Sequence, residues 1–167
     1  SDSNQVIISL MNVVLLFIPL VSMINMLIYL YNSNEFIEFL LAHPISRNTL
    51  LLTRVFGQII PFSLIFISSI TLPFIIHQQF TASLFLHLFY LILVGTFLIV
   101  IFSGVSVLIS NLYKDKIKGF GYAILFWILL SLIYDGVLQT LIIFLQDYAI
   151  EKLLIGFIIL NPIDLGR

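Results

Sequence analysis

Asp135 is the residue of this sequence best placed to do chemistry, because it is a carboxylate within a long apolar run, Gly119–Leu145. At a helical rise of 1.5 Å per residue it lies about 24 Å from Gly119. If that helix crosses a bilayer, Asp135 falls in its outer half. A charged side chain at the bilayer centre costs at least about 2.5–3.5 kcal/mol, and less toward an interface. On a wheel of about 100° per residue, Ser131, Asp135, Gln139 and Gln146 share one narrow arc. Ser131, Tyr134, Asp135 and Gln139 are therefore candidates for lining a water-filled path, and the carboxyl of Asp135 could bind a ligand or take up a proton. A structural hydrogen bond to a neighbouring helix accounts for the same pattern.

Other chemistries find little support. There is no cysteine, which removes disulfides, thiolate metal sites and cysteine nucleophiles. His43, His77 and His87 are scattered and no His-Glu-x-x-His occurs, so no metal centre is expected. No Gly-x4-Gly-Lys-Ser/Thr pattern is present, so the chain itself binds no ATP through a phosphate loop and no cofactor is expected in it. Gly119-Phe120-Gly121 is too short for a dinucleotide fingerprint and reads as easing the start of a helix. Met23 and Met26, one turn apart, could touch a soft copper ion, although methionine serves packing far more often.

The elements that must position these residues follow from composition. Of 167 residues, 61% are hydrophobic and 9% charged, and the mean hydropathy is +1.19. A soluble chain averages about 45–50% apolar and about 25% charged residues. A domain of this size buries only about 70% of its surface, so lipid must cover the remainder. A net charge of -1 carries no nucleic-acid footprint. About 20 apolar residues span a bilayer core, and four runs suffice: 6–30, 51–76, 83–112 and 119–145. The predicted fold is an all-α membrane bundle forming a single domain over residues 1–167. The run Leu153–Leu160 is too short to span and places an interfacial segment within 147–167. Internal repeats are not evident.

Basic residues orient the bundle. If the four helices alternate, Arg47, Arg54, Lys114, Lys116 and Lys118 share one side, and Lys152 and Arg167 the other. The excess marks the cytoplasmic side. The first helix then runs inward, which calls for a further span before it. A first residue Ser1 and a turn-like end, Asn161–Arg167, likewise suggest a piece of a longer chain.

Between the first two spans, Phe36, Ile37, Phe39, Leu40 and Leu41 occupy one arc of a helical wheel and Asn34, Glu35, Glu38 and Ala42 the opposite one. Such a helix lies in the interface or packs on a partner. Pro44 stops it, and Ser46 can cap the next helix. The stretch Asn34–Arg47, with Leu50-Leu51-Leu52 after it, resembles the first cytoplasmic loop of ABC-2 type permeases: an acidic stretch, a Leu-rich helix, and Pro-hydrophobic-Ser-Arg leading into a span. Trp127, Tyr134-Asp135 and Asn161-Pro162-Ile163-Asp164 are similar to the permeases of transporters that serve nitrous oxide reductase maturation. The acidic elbow is shorter here than is usual and lacks its Gly-Thr pair. The family usually has six spans, so its first and last are expected to be missing from this chain.

The resemblance implies a non-catalytic permease subunit in the bacterial inner membrane, multi-pass and homodimeric. It further implies a cytoplasmic ABC ATPase that binds the ATP, and a periplasmic partner protein. Asn34, Glu35, Glu38 and Arg47 would then couple the permease to the ATPase. A permease exporting a lipid, peptide or drug is the nearest alternative. An intramembrane enzyme using Asp135 would show a second convergent catalytic group, and none is visible. A scaffold would need no docking loop. Because the chain lacks cysteine, single cysteines report its topology cleanly. Cysteines placed at Ser33 and at Gln79 are expected to react with an impermeant maleimide from opposite sides of the membrane, and labelling of both from one side would refute the alternation.

Overall fold

The computed structural model describes residues 2–33, 47–76, 82–144 and 161–163. Residues 34–46, expected to form the coupling helix, and most of the segment 147–167 lie outside the described residues. Three long helices, α1 (Asp2–Asn32), α2 (Arg47–Ile76) and α3 (Ala82–Leu112), are followed by α4 (Lys116–Ile128). A π-helical turn, Leu129–Ile133, then joins α4 to α5 (Tyr134–Phe144) without a break. Among the described residues every regular element is helical. Four stretches are long and apolar enough to cross a membrane: Met11–Asn32, Asn48–Ile76, Phe85–Leu112 and Lys116–Ile133.

The bundle is organised around α1. A stripe of α1 residues at helical spacing, Leu15, Met23, Leu27 and Tyr31, packs on Leu98, Phe102 and Ile109 of α3, on Ala123 of α4 and on Ile163. A second cluster joins Ile59 and Phe66 of α2 to Ile99 of α3. Met23 and Met26 are both wholly buried, so they serve the core and not a solvent-facing copper site. Elsewhere the helices turn large apolar side chains outward, among them Leu64, Phe85, Leu86, Phe97 and Leu125, each more than 60% exposed. A water-soluble protein could not sustain such a surface, whereas lipid tails accept it at no cost.

Small residues set how closely the helices approach. Gly95 of α3 lies directly against the ring of Phe66, where a Cβ would have no room. Ser103 and Ser106 are buried, and Ser106 Oγ donates to the Met23 carbonyl (3.1 Å). Small residues of α3 therefore meet α2 at Gly95 and α1 at Ser106, while Pro61 and Ser68 of α2 are exposed. Small residues at helix crossings favour such close approach.

α4 starts at Lys116, three residues before the glycine where the sequence put it. Asp115 has extended backbone (φ -79, ψ 120), and its carboxylate accepts a hydrogen bond from the Ile117 N–H at 3.0 Å. This is N-capping, which satisfies one of the orphan donors of a helix start. Gly119 serves a different purpose from easing that start. It is buried beneath Tyr31, whose ring occupies the space a Cβ would need. Tyr31 Oη donates to the Tyr113 carbonyl (2.7 Å), and its ring lies 6.0 Å from that of Phe120. One side chain of α1 thus closes the α3–α4 turn.

Gly119→Ala is expected to destabilise the protein by about 1–3 kcal/mol, the usual cost of overpacking. Because the hydroxyl of Tyr31 is the nearest atom, Tyr31→Phe in the Gly119→Ala background should recover part of that loss. Denaturation in detergent of the two single variants and the double variant checks this, and simple additivity would show that the two residues do not meet.

Candidate functional site

Two places in the bundle collect its polar groups. The first surrounds the π turn. Trp127 lies two residues before it, about 16 Å along α4 from Lys116 and so near the middle of the membrane. Its indole Nε1 donates to the Leu16 carbonyl of α1 (2.8 Å). Ser131, within the turn, is buried and donates to the Trp127 carbonyl (2.7 Å). The Tyr134 N–H reaches back five residues to the Leu129 carbonyl, which is the wider hydrogen-bond ring of a π turn. Such a turn slips the hydrogen-bond ladder by one residue and needs an outside donor. Asn161 supplies one: its Nδ2 donates to the Leu130 carbonyl (2.9 Å).

Asn161 is fully buried and uses both ends of its amide. While Nδ2 bonds the π turn, Oδ1 accepts from the Ile163 N–H (3.2 Å). This is an Asx turn, and Pro162 at its second position fixes the backbone angle the turn requires. Ile163 then drops into the core against α1 and α3. The Asn-Pro dipeptide, legible in the sequence only as a turn, is thereby a clamp on a helix thirty-one residues earlier.

The path candidates separate across the π turn. Ser131 is buried within the π turn, while Gln139 is exposed, as are Gly136, Val137, Thr140, Ile143 and Phe144 of α5. Tyr134 is half-buried at the start of α5, and Asp135 follows it in the same helix.

The second place is the end of the bundle where α1 and α3 finish and α2 and α4 begin. Arg54 Nη2 donates to the Leu30 carbonyl (2.8 Å) and to Ser33 Oγ (2.6 Å). Lys116 Nζ reaches Asn32 Oδ1 at 3.3 Å. Both cations thus meet the carboxyl end of α1, whose unpaired carbonyls and dipole favour positive charge. The rings of Tyr113 and Tyr122 stack at 4.1 Å. Hydrogen bonding to Tyr122, followed by desolvation, raises the Tyr113 phenol above its ordinary value. Arg47, Lys114 and Lys118 belong to the same end. Of the coupling candidates, Arg47 opens α2, while Asn34, Glu35 and Glu38 lie outside the described residues. Among the described residues no three His, Asp or Glu side chains gather as a metal site would require.

An all-helical bundle with four apolar spans and lipid-facing sides defines a multi-pass membrane protein. The model of the ABC-2 family transporter proteins matches residues 34–165, most of the chain, and the protein belongs to that family. It is accordingly a transmembrane subunit of an ABC transporter, and membership implies an ABC ATPase as its partner. No curated protein matches the chain.

Asn161→Leu keeps the volume of the side chain and removes both hydrogen bonds. Leaving the Leu130 carbonyl without its donor is expected to cost about 1–3 kcal/mol. The unfolding midpoint in detergent micelles measures this, and an unchanged midpoint would show that the clamp contributes nothing.

Proposed function

We propose that the chain is a NosY-like permease, the membrane subunit of a transporter that supports assembly of the copper–sulfur site of nitrous oxide reductase. The observation that carries this reading is the convergence at the π turn. Trp127 and Asn161-Pro162, two of the sequence features similar to NosY, meet there through Leu16 and Leu130. A shared sequence pattern is more telling when its members hold one another in place than when they are dispersed.

In this reading the end bearing Arg47, Arg54, Lys114, Lys116 and Lys118 faces the cytoplasm, as the positive-inside rule requires. A NosF-like ATPase binds there, supplies the ATP site, and grips the segment between α1 and α2 through Asn34, Glu35, Glu38 and Arg47. The linkage from Arg54 to Leu30 and Ser33 suits this role, because it ties the start of α2 to the end of α1. A push on the connecting segment then displaces two helices together. A NosD-like periplasmic protein docks on the opposite face, where 147–167 emerges, and two copies of the permease form the membrane unit in the bacterial inner membrane. Tyr134, Asp135 and Gln139, beyond the π turn, are the side chains that would meet the cargo or a proton, while the Ser131 hydroxyl is engaged by the Trp127 carbonyl.

Charge reversal at Glu35 and Glu38 tests the proposal. In cells producing nitrous oxide reductase, the Glu35→Lys/Glu38→Lys protein is expected to reach the membrane in normal amount but to lose the ATPase on co-purification. The reductase should then lack the absorption of its copper–sulfur site. Unchanged co-purification would refute the coupling role. Normal reductase without a working permease would refute the nitrous oxide reading while leaving the family assignment intact.

A further inference from the structure

A groove of about 350 Å³ runs between α3 and α4, and α1 contributes nothing to its lining. One side of it is Val105, Leu108, Ile109 and Leu112 of α3. Across from them stand Tyr122, Leu125, Phe126 and Leu129. Both sets follow the spacing i, i+3, i+4, i+7, so each is a single stripe along its helix. Two such apolar stripes would ordinarily close on one another. Here both helices are committed to α1: Ile109 and Ala123 pack on its core stripe, and Tyr31 fills the space over Gly119. Buried Ile109 makes the floor of the groove, and Phe126 is fixed by edge contact with Phe102 at 6.5 Å. Leu108, Leu112 and Leu125 stand exposed as its walls. The stacked rings of Tyr113 and Tyr122 mark the end nearest the α3–α4 turn.

Depth and lining together select the occupant. α3 has 31 residues, about 46 Å of helix, which matches a full bilayer of about 40–45 Å. Its end at Leu112 therefore lies at the membrane surface. Tyr122 is about 9 Å along the helix from Lys116, and Leu129 about 20 Å. The groove thus runs from the aromatic belt, at the level of glycerol esters, to the middle of the bilayer. That is the depth of one leaflet. Water has little reason to enter, because no amide and no charged group lines the groove. A further helix suits it poorly as well. Where helices of this bundle meet closely, a small residue stands at the crossing, as at Gly95 and Ser106. The smallest residue lining the groove is Val105. A flexible hydrocarbon chain needs neither a small residue nor a bonding partner.

We infer that the α3–α4 groove holds one acyl chain of a phospholipid, with the ester carbonyl of that chain at the Tyr113–Tyr122 pair. The two phenols are hydrogen-bonded to each other. Two phenols carry two O–H groups and use one between them, so the other is left to donate to the ester. No charged contact enters the inference, and it is independent of the transported cargo and of the ATPase.

Native mass spectrometry tests it on the whole chain, released from detergent and titrated with dioleoyl phosphatidylcholine. One lipid per chain should bind several-fold more tightly than those that follow. Val105→Phe, which fills the deep end of the groove, should abolish that first class. Val100→Phe, the same change at an exposed site of α3 outside the groove, should leave it intact. Circular dichroism confirms the helical content of both variants. Tyr113→Phe/Tyr122→Phe keeps the stacked rings and removes the phenols. It should weaken the diester lipid about two- to ten-fold, the net worth of one hydrogen bond, and leave a dialkyl ether analogue unchanged. Equal weakening of both lipids would overturn the placement of the ester. Equal affinity of the first and later lipids for the parent protein would overturn the inference as a whole. So would a parent dimer, free of tightly bound lipid, that Val105→Phe dissociates, since the groove would then belong to a second copy.

Discussion

A main-chain carbonyl keeps a second lone pair after its helical bond is made, and side-chain donors aimed at such carbonyls govern how the bundle is joined. Five hydrogen bonds described here tie one part of the chain to a distant carbonyl: Tyr31 to Tyr113, Arg54 to Leu30, Ser106 to Met23, Trp127 to Leu16 and Asn161 to Leu130. In each, a side chain donates and the main chain accepts. Lipid tails are as apolar as leucine, so apolar contact by itself discriminates weakly between one helix pairing and another. A donor aimed at a particular carbonyl discriminates strongly. The apolar core supplies close packing, and these bonds supply its address.

The two ends of this arrangement are unlike. At the basic end, Arg54, Tyr31 and Lys116 gather α1, α2 and the α3–α4 turn into one body. Deeper in the membrane, the bonds of Trp127, Ser131 and Asn161 hold a turn that is itself irregular. Force applied where the helices are tied would therefore reach the π turn through α1, which contributes both the Leu30 and the Leu16 carbonyls. In a family whose members work with an ABC ATPase, such a path from one end of the bundle to its interior suits the purpose.

The long apolar runs were legible in the sequence because a membrane span has no cheaper composition. The all-helical fold followed from them. The faces were harder to read. On α1 the residues that meet the core and those that meet lipid are drawn from the same set, Leu, Ile, Val and Met, so hydropathy marks no boundary between Leu27, buried, and Ile28, exposed. Small residues do stand at close approaches, Gly95 against Phe66 and Ser106 against Met23, but nothing local says which helix approaches. The π turn was invisible, since it depends on Asn161, thirty-one positions from its bonded carbonyl, and no local pattern at Leu129–Ile133 announces it. Ser131 and Gln139, neighbours on an ideal wheel, stand in different surroundings, the first buried in the turn and the second on the exposed α5. The role of Gly119 was hidden likewise, because Tyr31 is remote in sequence.

The π turn also has a consequence for how the chain tolerates change. It holds one residue more than an α-helical turn, and the wider turn takes up that residue between two otherwise rigid rods. Removing a single residue from Leu129–Ile133 would restore the ordinary ladder with α4 and α5 close to their present phase, but the carbonyl that Asn161 serves would return to its own helix. The length of this stretch, counted in residues, is thus as much a determinant of whether Asn161 has anything to hold as the identity of any residue within it.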